Sequence, residues 1–351
     1  MLARAPGVDA EALRAAFVAR DSLAGIVSDP PEALSESARL FLRTPSGAVI
    51  ESDLRWIERS GAHLVPCTST HYPPLLASVA HAPAVLYVLG DPSVLVRSQL
   101  AMVGSRAATP GGRATAHEMA ARLASAGLAI VSGLAVGIDA ASHEGALAGG
   151  GLTIGVCGHG LDRVYPRHHR LLAQRMLERG TLVAECPPGT PPTRSRFPSR
   201  NRLISGMALA TVVVEAARAS GSLITAGCAL RQGRPVFAVP GAIRNPLAEG
   251  CHRLIRSGAR LAATASDVLT DLKIPLPEQS LAAHPEEPRP ASPLDKESEM
   301  LLDALGFEPV SINTLVERTG LPSASIASML LILELGGRIA PHPGGRYCRL
   351  S

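Results

Sequence analysis

Between Arg194 and Arg202 the chain reads Arg-Ser-Arg-Phe-Pro-Ser-Arg-Asn-Arg, four arginines around one of only five phenylalanines in a 351-residue sequence that is 3% aromatic. A guanidinium fork pairs with two phosphate oxygens at once, and an aromatic face stacks on any base for roughly 1–3 kcal/mol. Arg194, Phe197, Arg200, Asn201 and Arg202 are therefore candidate contacts for a nucleic-acid strand. The same composition also suits a solvated arginine loop with Phe197 turned into a core, and the segment alone leaves both readings open.

Three glycine-rich stretches carry similar chemistry. Met102-Val103-Gly104-Ser105-Arg106, followed by Thr109-Pro110-Gly111-Gly112, reads as a strand that turns into a helix. Free N–H groups and the dipole of a helix N-terminus favour an anion there, and Ser105 and Arg106 add a hydroxyl and a fork. Ser132 and Gly133 open a second such turn that closes on Gly137-Ile138-Asp139. Gly158 and Gly160 form a third, in Cys157-Gly158-His159-Gly160-Leu161-Asp162, with Tyr165-Pro166 after it. Glycine lets backbone approach a ligand closely, so the three ends are expected to share one phosphate-binding surface, the alternative being plain structural turns. Ser220-Gly221-Ser222 reads as a further hydroxyl-bearing helix start, or as ordinary caps.

Enzymatic signals are sparse. There is no Gly-x-Gly-x-x-Gly, no Gly-x-x-x-x-Gly-Lys-Ser/Thr and no Gly-x-Ser-x-Gly, so neither a dinucleotide fingerprint nor an ATPase loop nor a nucleophile elbow is present. Glu185 and Glu215, at strand ends, are the remaining candidates for a carboxylate pair across a crevice. The six cysteines are scattered without a Cys-x-x-Cys pair, which predicts free, mostly buried thiols. His168 and His169 diverge by about 100° if helical, which argues against a shared metal. No cofactor and no metal are expected.

The elements that must hold these residues follow from the apolar pattern. Short apolar runs at 100–103, 128–131, 152–156, 182–185, 211–215 and 236–239 alternate with helical patterns, as in a parallel sheet covered on both faces. The expected architecture is α/β, a Rossmann-like doubly wound, mostly parallel sheet whose ligand site lies beyond the carboxyl ends of its strands. Residues 1–70 read as a small helical domain and 71–273 as the sheet domain, with the stretch through Tyr72 and Tyr87 packing as a lid or an edge. A proline-rich linker is expected at 274–293. Three helical patterns and a hairpin over 294–351 suggest a winged-helix domain.

Charge is segregated along this plan. Residues 1–100 carry 8 basic and 10 acidic side chains (net −2), residues 101–260 carry 19 and 8 (+11), and residues 261–351 carry 7 and 12 (−5). Only Lys273 and Lys296 are lysines, so codon usage accounts for the choice of arginine but not for its concentration in the middle. No run approaches the ~18 apolar residues of a membrane span, and the first residues lack a signal peptide's apolar segment, so a cytoplasmic protein without membrane contact is expected.

Val103-Gly104-Ser105-Arg106, Ser132 to Asp139, Phe197-Pro198-Ser199-Arg200-Asn201-Arg202, Ser220 to Thr225 and Val239-Pro240-Gly241 occur in the order seen in the DNA processing protein A family (DprA, also called Smf), which the chain resembles from about Tyr72 to Leu272. The resemblance implies an extended Rossmann fold that dimerises, an N-terminal helical domain of the sterile-alpha-motif type and a winged-helix domain. It further implies a mediator rather than a catalyst. Such a protein binds incoming single-stranded DNA during natural transformation, displaces or bypasses single-strand-binding protein, and helps load RecA. Gly104, Ser105, Arg106, Arg194, Phe197, Arg200 and Arg202 match the positions that line the family's DNA pocket. Arg194 stands where some relatives have lysine. The acidic N-terminal region is expected to stay off DNA, and the expected recognition helix, 323–335, has no Arg or Lys, which favours protein docking over groove reading. The competing reading is a nucleotide-processing enzyme of the Rossmann-like phosphoribohydrolase type, whose Pro-Gly-Gly-x-Gly-Thr-x-x-Glu segment is absent here.

Overall fold

The computed structural model describes residues 1–275 and 296–350. Four helices open the chain, α1 (Ala10–Arg20), α2 (Leu23–Ser28), α3 (Glu36–Arg43) and α4 (Gly47–Ser60). Asp9, Ser22 and Ser35 cap the first three by accepting a first-turn backbone N–H with a side-chain oxygen. Leu13, Ile26 and Leu42 belong to the same buried cluster as Val65, Leu86 and Val103, so these helices share a core with the sheet that follows.

Among the described residues nine strands form one sheet in the order β1-β2-β6-β5-β4-β3-β7-β8-β9. β3 (Gln99–Val103), β4 (Ala129–Ser132), β5 (Thr153–Cys157), β6 (Thr181–Ala184), β7 (Thr211–Val213), β8 (Val236–Ala238) and β9 (Arg260–Leu261) are parallel. β1 (His63–Pro66) and β2 (Val85–Gly90) add an antiparallel margin against β6. This is the mostly parallel Rossmann-like sheet read from the apolar runs, each of the six lying within two residues of a strand. β2 realises the edge position expected for the stretch through Tyr87, whereas β1, inside the segment read as helical, and β9 were not anticipated. β3 and β5 bury all five of their residues, which is why their sequences read as continuous apolar runs.

Helices α5 (Pro74–Ala77), α6 (Pro110–Ser125), α7 (Ile138–Ala148), α8 (Arg170–Arg179), α9 (Arg196–Met207), α10 (Ser222–Arg231), α11 (Glu249–Arg256) and α12 (Ala265–Asp271) connect or follow the strands. α6, α7 and α12 cover one face through Met119, Leu123, Ile138 and Val268, packed with Met102, Ile130 and Phe237. α9 and α10 cover the other through Leu203, Ile204, Met207 and Ala226. β3 leads through α6 to β4 on one side, whereas β7 leads through α10 to β8 on the other. The connections therefore diverge between β3 and β7, the switch point at which doubly wound sheets open a crevice.

The C-terminal unit has its own core. Helices α13 (Lys296–Leu305), α14 (Ile312–Thr319) and α15 (Ser323–Leu335) pack on a sheet ordered β10 (Val310–Ser311), β12 (Arg346–Arg349), β11 (Ile339–His342), around Leu301, Leu315, Ile326, Leu330 and Ile339. α15 exposes Leu331, Ile332 and Leu335. On the hairpin Arg349 reaches Asp303 at 3.2 Å and lies over the Phe307 ring, so it is already engaged within the unit. The linker expected at 274–293 lies, from residue 276 onward, outside the described residues.

Candidate nucleic-acid interface

The carboxyl end of β3 delivers Gly104, Ser105 and Arg106. Ser105 is buried and its hydroxyl accepts the Ala107 N–H at 3.1 Å, whereas Arg106 is exposed. Gly104 packs against the Ile138 side chain so closely that a Cβ would lie 2.6 Å from it. Gly137, at φ +82°, leaves no room for a Cβ beside the Ser105 carbonyl, to which the Ile138 N–H donates at 3.1 Å. These glycines seat the first turn of α7 on the β3 turn. Their close approach is to the chain's own atoms, a side chain at Gly104 and backbone at Gly137, not to an open ligand surface.

The N-terminus of α6 also departs from expectation. Glu215, leaving β7 across the switch point, is 8% exposed and sends its carboxylate into that first turn. One oxygen accepts the Thr109 N–H at 2.9 Å and the other the Thr109 hydroxyl at 2.6 Å. Gly112 is the reason it fits, since a Cβ there would meet the carboxylate oxygens at 2.5 Å. The anion favoured by the helix dipole is thus supplied from within the chain. Asp139, in the first turn of α7, instead faces back, its carboxylate accepting the N–H groups of Gly133 and Ala135 in the preceding turn at 3.1 and 3.3 Å. Ser132, fully buried, donates to the Met102 carbonyl at 2.6 Å and ties β4 to β3.

The Arg/Phe segment is not a loop throughout. It enters α9 at Arg196, with Pro198 in the first turn, where a missing N–H costs nothing. Helical periodicity then separates its members. Arg200 falls on the face that buries Leu203, Ile204 and Met207; it is 5% exposed and donates to the carbonyls of Gly133, at 2.9 Å, and Val156. A Cβ on Gly133 would meet this guanidinium and the Asp139 carboxylate, so the two charges face each other under the β4 turn. Burial pushes Asp139 up and Arg200 down from their ordinary values, and each charge offsets the other's shift. Arg202 pairs with both Glu185 oxygens at 2.6 and 2.7 Å. Glu185 and Glu215 are therefore held separately, by Arg202 and by Thr109, instead of acting together as the pair considered from sequence. Asn201 reaches the Gly221 carbonyl at 3.5 Å.

The exposed end of the segment does converge with the β3 turn. Arg194 and Arg196 are exposed, and Phe197 is half-buried with the Arg106 guanidinium 5.3 Å from its ring centroid. Phe197 is thus neither a core side chain nor an isolated ring. It lies over Gly158, where a Cβ would come within 3.4 Å of the ring, and stacks on Tyr165 with centroids 5.8 Å apart and an interplanar angle of 27°. Gly160 is buried beside Pro187, its N–H donating to the Thr190 carbonyl at 3.0 Å. The structure therefore brings Arg106, Phe197 and the Gly158 turn to one exposed corner with Arg194 nearby in the chain, and sends Arg200 and Arg202 inward or behind. Tyr165 is the member that sequence reasoning noted in passing and did not select; an aromatic residue just beyond a glycine strand end, in a chain this poor in aromatics, was the available signal.

Among the described residues no group of three or more His, Cys, Asp or Glu is arranged to hold a metal ion, and no helix is long and apolar enough to cross a membrane. All six cysteines are free, Cys186 half-buried and the others buried.

The family model described as DNA recombination-mediator protein A matches residues 63–273, and that described as DprA winged helix domain matches residues 285–345. Protein Smf of Escherichia coli (strain K12) is 43% identical over 320 residues, which cover 89% of this chain and 84% of that protein. The DNA processing protein DprA of Bacillus subtilis (strain 168) is 41% identical over 213 residues, 60% of this chain and 72% of its own. The X-ray structure of DNA processing protein A from Streptococcus pneumoniae matches with a TM-score of 0.67 at 32% identity, over 77% of this chain and 95% of that one. DNA processing protein A from Helicobacter pylori, whose structure is described for its unique single-stranded DNA binding mode, matches with a TM-score of 0.55 at 26% identity, over 60% and 95%.

Proposed function

The chain belongs to the DNA recombination-mediator protein A family, and from that premise we propose that it binds single-stranded DNA across the Arg106–Phe197 corner. The reading rests on one observation: an exposed guanidinium stacked on a half-buried ring, with Arg194 and Arg196 also exposed close by, in the part of the chain that nets +11. Arg106 and Arg194 take phosphates, Phe197 offers the part of its half-buried ring left open to a base, and Gly104, Ser105, Gly158 and Gly160 let the turns that carry these side chains pack closely. Ser132, Gly133, Gly137, Arg200, Asn201 and Arg202 act from beneath by fixing the turns. Backbone contact with stacking is sequence-tolerant, as a protein that meets arbitrary strands requires.

Beyond binding, the chain acts as a homodimer in the cytoplasm and helps load RecA onto strands coated by single-strand-binding protein, as in natural transformation. It does so without catalysis of its own. A nucleotide-processing enzyme is the weaker reading, because Glu215 fills the helix N-terminus where a nucleotide phosphate would sit.

The test is anisotropy with labelled single- and double-stranded DNA over a salt series, comparing the parent with Arg106→Ala. Expected are a preference for the single strand, a log–log salt slope near −0.7 per neutralised phosphate, and weaker binding by the variant. Affinity that is flat with salt, or equal for the duplex, sinks the proposal. The mediator role is read separately, as faster RecA strand exchange on precoated DNA.

A further inference from the structure

Tyr165 is 47% exposed, and its hydroxyl has no protein partner among the described residues. A core tyrosine would bury its ring and satisfy its hydroxyl; this one does neither. Its ring is nevertheless fixed. Phe197 stacks on it, and the edge of His159, a side chain 2% exposed, stands at 76° with centroids 6.3 Å apart. The loop that carries it is tied down from both ends. Asp162 accepts the Gly189 N–H at 2.9 Å, Gly160 donates to Thr190, and His169 Nδ1 lies 3.0 Å from the Leu134 carbonyl oxygen. A half-exposed aromatic ring held this firmly is a preorganised surface, so little conformational freedom is lost when something lies on it.

What would lie on it follows from spacing and charge. A base inserted between Tyr165 and Phe197 needs about 7 Å, two stacking distances of about 3.4 Å, and the centroids are only 5.8 Å apart at 27°. The two rings therefore make one continuous platform, of which Phe197 is the more covered part, with Tyr165 and the Arg106 guanidinium against it and some ring surface still open. The larger open area is on Tyr165. The residues around it in sequence are cationic: Arg163, Arg167 and Arg170 are all exposed. Arg163 is engaged by Asp162 at 2.7 Å, whereas Arg167 and Arg170 make no ion pair among the described residues. An open aromatic face with unpaired guanidinium groups two and five residues further along the chain is the composition of a nucleotide subsite on a single strand.

We propose that Tyr165, with Arg167 and Arg170, forms a second nucleotide subsite that carries the strand from Phe197 onto the segment between β5 and α8. The base stacks on the outer face of Tyr165, and the flanking phosphates pair with the two arginines. This rests on the single-strand reading above and adds to it a path and a direction along the sheet edge, away from the β3–β7 switch point.

The experiment uses the full chain and a labelled oligothymidine, with Tyr165→Ala, Tyr165→Phe, Tyr165→Leu and Arg167→Ala/Arg170→Ala beside the parent. Tyr165→Ala is expected to weaken binding about tenfold, Tyr165→Leu nearly as much, and Tyr165→Phe less than about twofold, because the ring and not the hydroxyl does the stacking. The double arginine variant is expected to lower the log–log salt slope by about 1.4, two phosphates at about 0.7 each. Thermal melting keeps folding separate, and should Tyr165→Ala fail to fold, photocrosslinking of iodouracil-labelled DNA to Tyr165 in the parent decides instead. Parent-like binding by Tyr165→Ala, or equal losses in Tyr165→Phe and Tyr165→Ala, overturns the subsite while leaving single-strand binding intact. A parent that binds no single strand overturns both, and is seen in the first titration.

Discussion

The carboxyl end of β3 borders two regions built from the same kind of turn. Toward β7 it faces the switch-point crevice, where Glu215 reaches the first turn of α6 and takes the N–H and hydroxyl of its cap, Thr109. Toward β5 it faces the Phe197 corner, where Arg106, Arg194 and Arg196 are exposed and two aromatic rings stack beside them. One side is closed by an internal carboxylate and the other is left open, cationic and aromatic. A crevice suits a compact ligand with a few phosphates, whereas an open rim suits a polymer that enters and leaves at both ends. The closure of the first and the exposure of the second favour the polymer.

Four perturbations test that contrast, the largest first. Arg200→Ala removes the guanidinium that bonds Gly133 and Val156 and faces Asp139, leaving a buried carboxylate uncompensated. A loss of about 3–5 kcal/mol of stability in urea unfolding is expected, and DNA binding falls with the wall it supports. An exposed phosphate ligand would instead lose affinity at nearly unchanged stability. Glu215→Ala frees the Thr109 donors and is expected to cost about 2 kcal/mol by the same measurement, with single-strand affinity within about twofold of the parent. A large loss of affinity would mean that the closed side also lies on the DNA path. Phe197→Ala acts on the open side and is expected to weaken single-strand binding about tenfold with little change in melting temperature.

The effect that is smallest near neutral pH, under about 1 kcal/mol between pH 7 and 6, concerns a buried histidine. His143 is fully buried on α7 against Thr153, and burial pushes it down to about 3. It stays neutral in the folded chain while the unfolded chain binds a proton below about 6.5. Its contribution is therefore complete above about 6.5 and is lost toward pH 3, by about 1.4 kcal/mol per pH unit at most. Unfolding free energies at pH 7, 6 and 5, compared between the parent and His143→Asn, check the sign: the variant should show the shallower slope.

Much of the fold was legible because parallel strands buried on both faces read as unbroken apolar runs, and six were located in that way. β1 and β2 were not, because Pro66 ends the first, exposed at His63 and Leu64, and the second lies within a proline-rich stretch. At the site, composition identified the Arg/Phe segment but helical phase decided its use. Pro198 marks a first turn, and from that start Arg200 rotates under the sheet with Leu203 and Ile204. Glu215 was singled out for the wrong partner, since nothing local in the sequence says that Gly112 makes room for a side chain more than a hundred residues away.

Free nucleotides and inorganic phosphate carry the same anionic oxygens as a DNA strand, and a protein that grips strands must work among them. A carboxylate tethered in the fold has an effective concentration at its own helix terminus that a dissolved anion is hard put to match. Glu215 thereby acts as a permanent internal competitor. Occupancy of the switch point is then independent of the metabolic state of the surrounding solution, and strand affinity is expected to hold when millimolar mononucleotide is added.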